Sequence, residues 1–319
     1  MTAFVSSDRA LASKPSHPPM IGRLHQSGLT LIEMIGAIVV SSIIAIGTVS
    51  YIGDAAEGYQ TSSNRNQLAS AGRTAISRMA MELRNAVPNS IRVTTAVAGD
   101  QCLEFVPALN ATKYLNPPFT GLGGSVFEVI DFMPSEVGTT DGYAVIYPSV
   151  VADLYDGNNG APGLWPNFPT RGPIEQISSI AASAQPSQST VTLTKAHRFN
   201  RRSANERFFL ADDPVSFCIK GDKLYRYSNY GFFDTQTSTE EEAGVCEVAN
   251  GDSCLPNYTA APDKRLITDN IDNATAGLTA FALTSQSLER NSLVSITLNL
   301  TSDGDSIRLD HEVLSKSVP

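Results

Sequence analysis

Residues 34–52 read MIGAIVVSSIIAIGTVSYI, 19 positions without one Asp, Glu, Lys, Arg or His. As a helix rising about 1.5 Å per residue, this stretch nearly spans the hydrocarbon core of a bilayer. Taken back to Leu29 the apolar run reaches 24 residues, interrupted only by Glu33. A cleaved secretory signal usually has an apolar stretch of about 7–15 residues ending at a small-x-small site. Here the run is longer, a helical pattern follows it, and no Cys stands just after it to mark a lipoprotein. Arg9, Lys14 and Arg23 precede the run, Asp54 and Glu57 follow it, and the next base is Arg65. That asymmetry keeps the N-terminal side in the cytoplasm and exports the bulk of the chain.

Composition narrows the remaining choices. A length of 319 residues allows two ordinary domains, or one domain with a long appendage. Charged residues make up 17% and aromatics 8%, which excludes a coiled coil and a disordered acidic tail. Basic residues number 23 against 32 acidic, a net charge of −9, so a protein living on nucleic-acid phosphate is not expected. Four His and four Cys, widely scattered, do not make a structural zinc module.

Glu33 is the anomaly in the apolar run. A carboxylate costs roughly 2.5–3.5 kcal/mol near the bilayer centre and less towards its edge. It is either a side chain that snorkels to the interface or a charge that awaits a cation. The octet Ser27-Gly28-Leu29-Thr30-Leu31-Ile32-Glu33-Met34 resembles the processing site of type IV prepilins and type II secretion pseudopilins. The resemblance implies cleavage by a membrane prepilin peptidase between Gly28 and Leu29, and methylation of the new N-terminus at Leu29. It also implies that Glu33, with Thr30 beside it, serves assembly. The buried carboxylate meets the amine of Leu29 in a neighbouring subunit, which offsets much of the desolvation of both charges and fixes register.

Residues 1–28 are long for such a leader, and the compact basic stretch MIGRLHQSG makes Met20 an alternative start. Removing residues 1–28 takes away Arg9, Lys14, Arg23 and Asp8, leaving 291 residues with 20 basic and 31 acidic side chains, net −11.

The expected organisation is a leader over 1–28, a membrane or filament-core helix over 29–53, an amphipathic helix over 54–88, and a β-rich exported domain over 89–319. Leu68, Ala71, Ala75, Met79, Leu83 and Ala86 recur at spacings of three and four, Arg78 and Glu82 are placed as an i,i+4 pair, and Pro88 stops the run. The whole helix from Leu29 to Val87 would measure about 88 Å. Gly47, Gly53, Gly58 and Gly72 are places where it bends or loosens. Short alternating runs then predict strands near 91–95, 102–106, 127–131, 143–147, 190–194, 207–210, 215–220, 223–227, 278–284, 293–300 and 306–313. Gly221-Asp222 reads as a type II′ hairpin turn, and Asp303-Gly304 turns the clearest strand into the last one. Residues 148–189 and 234–263 read as surface loops or insertions. The fold class is α+β, a long helix laid on an antiparallel sheet, with no βαβ alternation.

Cys102, Cys218, Cys246 and Cys254 all follow the apolar span, where disulfides form. Cys246 and Cys254 enclose a short loop, and Cys102 and Cys218 would then pair across the sheet, although four cysteines allow three connectivities. A metal site is not expected, since neighbouring ligands are absent. The run Asp156-Gly157-Asn158-Asn159-Gly160 has calcium-ligand types but lacks the bidentate Glu, and reads as a turn. After processing only His197 and His311 remain. His311 shares a strand face with Ile307, Leu309 and Val313, as a core histidine does. With no Gly-x-Ser-x-Gly elbow either, no catalytic residues and no cofactor are expected. His197, Arg198, Arg201 and Arg202 form a basic cluster, read as a solvated loop in an acidic domain.

A narrower resemblance rests on Cys102-Leu103-Glu104-Phe105-Val106-Pro107, on the strands 214–218 and 224–227, and on Asp310-His311-Glu312-Val313. These look like the MshO-type minor prepilins of mannose-sensitive haemagglutinin (MSHA) pili, within the group of J-type pseudopilins and W-type minor pilins. The resemblance implies a minor pilin of the tip or initiation complex. Its partners would be other minor and major pilins, the prepilin peptidase and the inner-membrane assembly platform. The chain would pass the inner membrane once with its C-terminal domain in the periplasm, then join a pilus at the cell surface. A J-type pseudopilin of type II secretion and a tip adhesin are the other readings of the same sequence.

Overall fold

The computed structural model describes residues 30–97, 99–131, 142–155, 171–237, 239–240, 254–256, 263–284 and 292–315. By contacts the chain divides into two units, Met1–Gly58 and Tyr59–Pro319. Helix α1 covers Leu31–Arg84 and contributes to both. In the first unit every residue from 30 to 58 is exposed, the Ile and Val side chains included.

In the second unit α1 buries Leu68, Gly72, Ala75, Ile76, Met79, Ala80 and Leu83, an i, i+3, i+4 stripe facing one core. The stripe is wider than the sequence spacing predicts. Ala71 is exposed, and Gly72 takes the inward place. A Cβ at Gly72 would fall 2.5 Å from Leu309 Cδ1 and 2.9 Å from Leu300 Cδ1, so this glycine lets the sheet come close rather than bending the helix. The helix ends at Arg84, three residues before the expected Val87. The chain beyond it leaves the helical path to pair with a strand: Val87 N–H donates to Val106 O at 2.8 Å, and Ala108 N–H to Asn85 O at 2.8 Å. Glu82 pairs with Arg78 at 3.3 Å, as expected from their spacing, and also with Arg226 of the sheet at 3.0 Å.

Fifteen strands are defined among the described residues, in three sheets. The first has the order β1-β2-β10-β11-β12, with β1 Arg92–Val93, β2 Gln101–Phe105, β10 Val215–Lys220, β11 Lys223–Tyr227 and β12 Lys264–Thr268. The second is β13-β14-β15, with β13 Phe281–Leu283, β14 Ser292–Ser302 and β15 Asp305–Ser315. Both lie against α1, where Phe105, Phe217, Leu224, Ile296, Leu298 and Leu300 meet its stripe. The buried Gln101 side chain links the two sheets: its Oε1 accepts from Phe281 N–H at 2.8 Å and its Nε2 donates to Phe281 O at 2.9 Å. One amide side chain thus stands in for a ladder peptide. The fold is α+β, a long helix followed by antiparallel sheets, as the sequence predicts.

The third sheet was not foreseen as a unit. Between β2 and β10 the chain builds the order β3-β9-β5-β7-β8-β4, with β6 beside β8. Its strands are β3 Ala108–Lys113, β4 Gly124–Ile130, β5 Tyr143–Val145, β6 Arg171–Gly172, β7 Ile174–Ala182, β8 Gln188–Phe199 and β9 Arg207–Ala211. The outer strands meet through the bridge Tyr114↔Val129, so the sheet curls towards a barrel around Phe127, Phe199, Phe208, Ile177 and Val191. Residues 148–189, read from sequence as a loop, therefore hold a central strand, β7, and the short helix α2 Ala152–Tyr155. Pro173, Gln176, Ser178 and Ser179 broke the alternation that would have marked β7. Both predicted turns are present: Gly221 has φ +58°, and Asp303 and Gly304 have φ +50° and +83°.

Gly72→Val should force Leu309 and Leu300 aside and lower stability by about 1–3 kcal/mol. Gly58→Ala, with nothing within 4 Å of the added methyl, should be neutral or stabilising. Thermal unfolding of the detergent-solubilised chain checks the pair; equal midpoints for Gly72→Val and the parent would refute the close-approach role.

Candidate functional site

The described chain begins at Thr30, so Gly28 and Leu29, the expected cleavage pair, lie outside the described residues. Thr30 and Glu33 do come together. Thr30 N–H donates to Glu33 Oε2 at 2.9 Å, Thr30 Oγ1 donates to the same oxygen at 2.9 Å, and Glu33 N–H approaches Thr30 Oγ1 at 3.3 Å. Met34 N–H closes the first helical turn on Thr30 O at 3.2 Å. This is a capping box, with Thr30 at the cap and Glu33 three residues on. The acid also sits in the first turn, where the helix dipole favours negative charge. The T-x-x-E spacing is the sequence signal for this cap, a role beyond the snorkelling or cation-pairing expected of Glu33. Oε1 of Glu33 has no hydrogen bond among the described residues.

Below this cap the helix surface is apolar and bare. Leu31 is 78% exposed, and Ile46 and Val49 are 70% exposed. The helix is long and apolar enough to cross a membrane. A contiguous apolar face of this extent is covered in its working state by lipid or by other protein.

Cys102 and Cys218 are disulfide-bonded and stand directly opposite each other in the β2–β10 register. The bond closes the two ends of the inserted third sheet, which leaves the first sheet after β2 and rejoins it at β10. Cys254 is also disulfide-bonded; Cys246 lies outside the described residues, as does the calcium-like run at 156–160. Beside the Cys102–Cys218 bridge, Arg92 Nε lies 2.6 Å from Glu104 Oε2, and its guanidinium stacks 3.6 Å over the Tyr155 ring. Tyr230 donates to Glu104 Oε1 at 3.1 Å, and Arg92 also donates to the carbonyls of Phe233 and Asp234. Burial pushes the Glu104 carboxyl above the usual range, with Arg92 and Tyr230 pulling against it. Burial likewise raises the Tyr155 and Tyr230 hydroxyls well above theirs. The network holds α2 and the chain at 230–234 onto the first sheet.

His197 and His311, the two histidines among the described residues, stand in different sheets. His197, expected on a solvated loop, is wholly buried on β8. Its Nε2 lies 3.0 Å from Gly172 O, and its Nδ1 stands 3.2 Å from Glu175 Oε2 without hydrogen-bond alignment. Gly172 of β6 and the Phe199 ring lie against its imidazole, which the sequence run His-Arg-Phe-Asn-Arg-Arg does not reveal. His311 is half-buried on the face of β15 that carries Ile307, Leu309 and Val313. Among the described residues no group of three or more His, Cys, Asp or Glu side chains converges as a metal site.

Removing the bridge by Cys102→Ala with Cys218→Ala should lower the unfolding free energy by about 2–5 kcal/mol. Chemical denaturation of the solubilised chain measures this, and an unchanged midpoint would contradict the clamp role.

The family model described as the prokaryotic N-terminal methylation motif matches residues 23–49. No curated protein and no solved structure matched the chain. The matched residues span Gly28, Leu29, Thr30 and Glu33 and most of the bare apolar helix. They support a type IV prepilin-like family, and with it a pilin- or pseudopilin-like subunit anchored in a membrane.

Proposed function

We propose that the chain is a minor pilin-like structural subunit of a type IV pilus, of the MSHA type, processed by prepilin peptidase between Gly28 and Leu29. The observation that carries this reading is the capped start of α1: Thr30 satisfies one oxygen of Glu33 and, among the described residues, nothing bonds the other, at the head of a helix whose apolar surface is bare. In the assembled fibre the open oxygen takes the methylated amine of Leu29 from a neighbouring subunit. The neighbours' helices cover the apolar surface. Before assembly the same helix holds the chain in the inner membrane, with the domain in the periplasm. Nothing in this scheme requires turnover or a cofactor, and the methylation motif supports a structural subunit.

The inserted third sheet favours a low-copy place at the tip or in the initiation complex. It adds a strand-rich body between β2 and β10 that a close-packed shaft would have to repeat at every subunit. The partners are other minor and major pilins and the inner-membrane assembly platform.

Glu33→Gln isolates the charge, because glutamine can still cap Thr30. The variant should be cleaved normally and inserted in the membrane, yet be lost from sheared pili. Immunoblots of pilus and membrane fractions read both properties. Normal incorporation of Glu33→Gln would refute the charge pairing, and loss of exoprotein secretion with intact piliation on deletion would move the subunit to a secretion system.

A further inference from the structure

We propose that the loop over residues 116–123, with the arginines around it, is a docking surface for the acidic headgroups of a facing lipid bilayer. Leu122 is 97% exposed, the most exposed large apolar side chain among the described residues. It stands between Gly121 and Gly123, whose φ angles are +69° and +89°. A Cβ at Gly123 would lie 2.6 Å from His197 O, so the loop is pressed onto β8 and holds Leu122 outward. Phe199 N–H fastens the loop again at Pro118 O, at 3.0 Å.

Two arginines touch this loop, and two more stand beside them in the chain or in the sheet. Arg198 reaches Gly121 O at 3.4 Å, and Arg202 stacks 4.8 Å over the Phe119 ring. Arg201 donates to Ser149 Oγ at 2.8 Å, and Arg171 is the direct partner of Arg198 in the β6–β8 pairing. Like charges opposite each other on neighbouring strands repel. Among the described residues, Glu206 shares a hollow with Arg202, and Asp153 accepts from Ser149. The patch is thus basic on a chain of net −9. The basic cluster read from sequence is not a bare loop but the collar of an apolar tip.

The combination selects the partner. A nucleic acid would engage the guanidinium groups and leave Leu122 against water or phosphate. An acidic protein would need a pocket shaped for the leucine. A bilayer needs no such pocket: the tip enters the headgroup boundary while the arginines remain with the anionic groups. The choice of a facing bilayer rests on the proposed function, since in an assembled fibre α1 is withdrawn from the chain's own membrane.

The test uses the full chain held by α1 in phosphatidylcholine nanodiscs and mixed with separate vesicles. Vesicles of phosphatidylglycerol and phosphatidylcholine should capture the discs in flotation, pure phosphatidylcholine vesicles should not, and added salt should weaken capture. Arg198→Gln and Arg202→Gln should each reduce it about fivefold. Leu122→Trp should keep binding and show a blue-shifted emission on capture, a readout that also verifies folding of the variant. Failure of acidic vesicles to capture the discs would overturn the proposal. So would capture without an emission shift, or equal retention by polyglutamate beads. None of these results bears on cleavage at Leu29, so failure here is separable from failure of the pilin reading.

Discussion

The solvation of α1 is the constraint from which the rest follows. Over residues 30–58 nothing among the described residues covers a helix built of Ile, Val, Leu and Ala. From Leu68 to Leu83 the same helix is sealed against two sheets. Each buried large aliphatic side chain contributes about 1.5–3 kcal/mol by leaving water, so the covered stretch stabilises the second unit. The bare stretch must obtain the same contribution from lipid or from other subunits. A helix with this division is unfinished as a monomer in water, and that is the physical content of a membrane-held subunit awaiting assembly.

Glu33 belongs to the same argument. A carboxylate in an apolar helix is destabilising unless its oxygens are bonded. The chain supplies half the remedy, through the Thr30 N–H and hydroxyl, which also stiffen the helix start. The remaining oxygen is where an external cation contributes most. Capping is thus compatible with the proposed pairing, since the two would use different oxygens of one side chain.

How much was legible in the sequence depended on how local the cause was. The β10–β11 hairpin was read residue for residue, because Gly221-Asp222 fixes the turn and alternation fixes the strands. The apolar helix, its second-half stripe and the Arg78–Glu82 pair were likewise visible in spacing. Of the third sheet, alternation marks β4, β5, β8 and β9 but not β3, β6 or β7, nor their union in one sheet. β3 is built from Ala, Leu, Asn, Ala, Thr and Lys, and β7 carries Glu175 at a buried position. Glu175 is tolerated because Thr194 donates to it at 3.0 Å and the Lys195 ammonium stands 3.7 Å from its other oxygen. Those contacts join distant segments, and no local pattern announces them. The end of α1 was misplaced for the same reason: pairing with residues 106–108, not Pro88, stops it. At the candidate site, the Thr30–Glu33 spacing was legible, while the exposed tip at Leu122 became meaningful only when loop 116–123 was seen lying on β8.

Mass spectrometry of the N-terminus of the chain purified from cell membranes tests the central claim most directly. The account predicts a mature polypeptide that begins at Leu29 and carries one methyl group on its amine. A chain that retains residues 1–28, or that is cut within or after the apolar run, would contradict it.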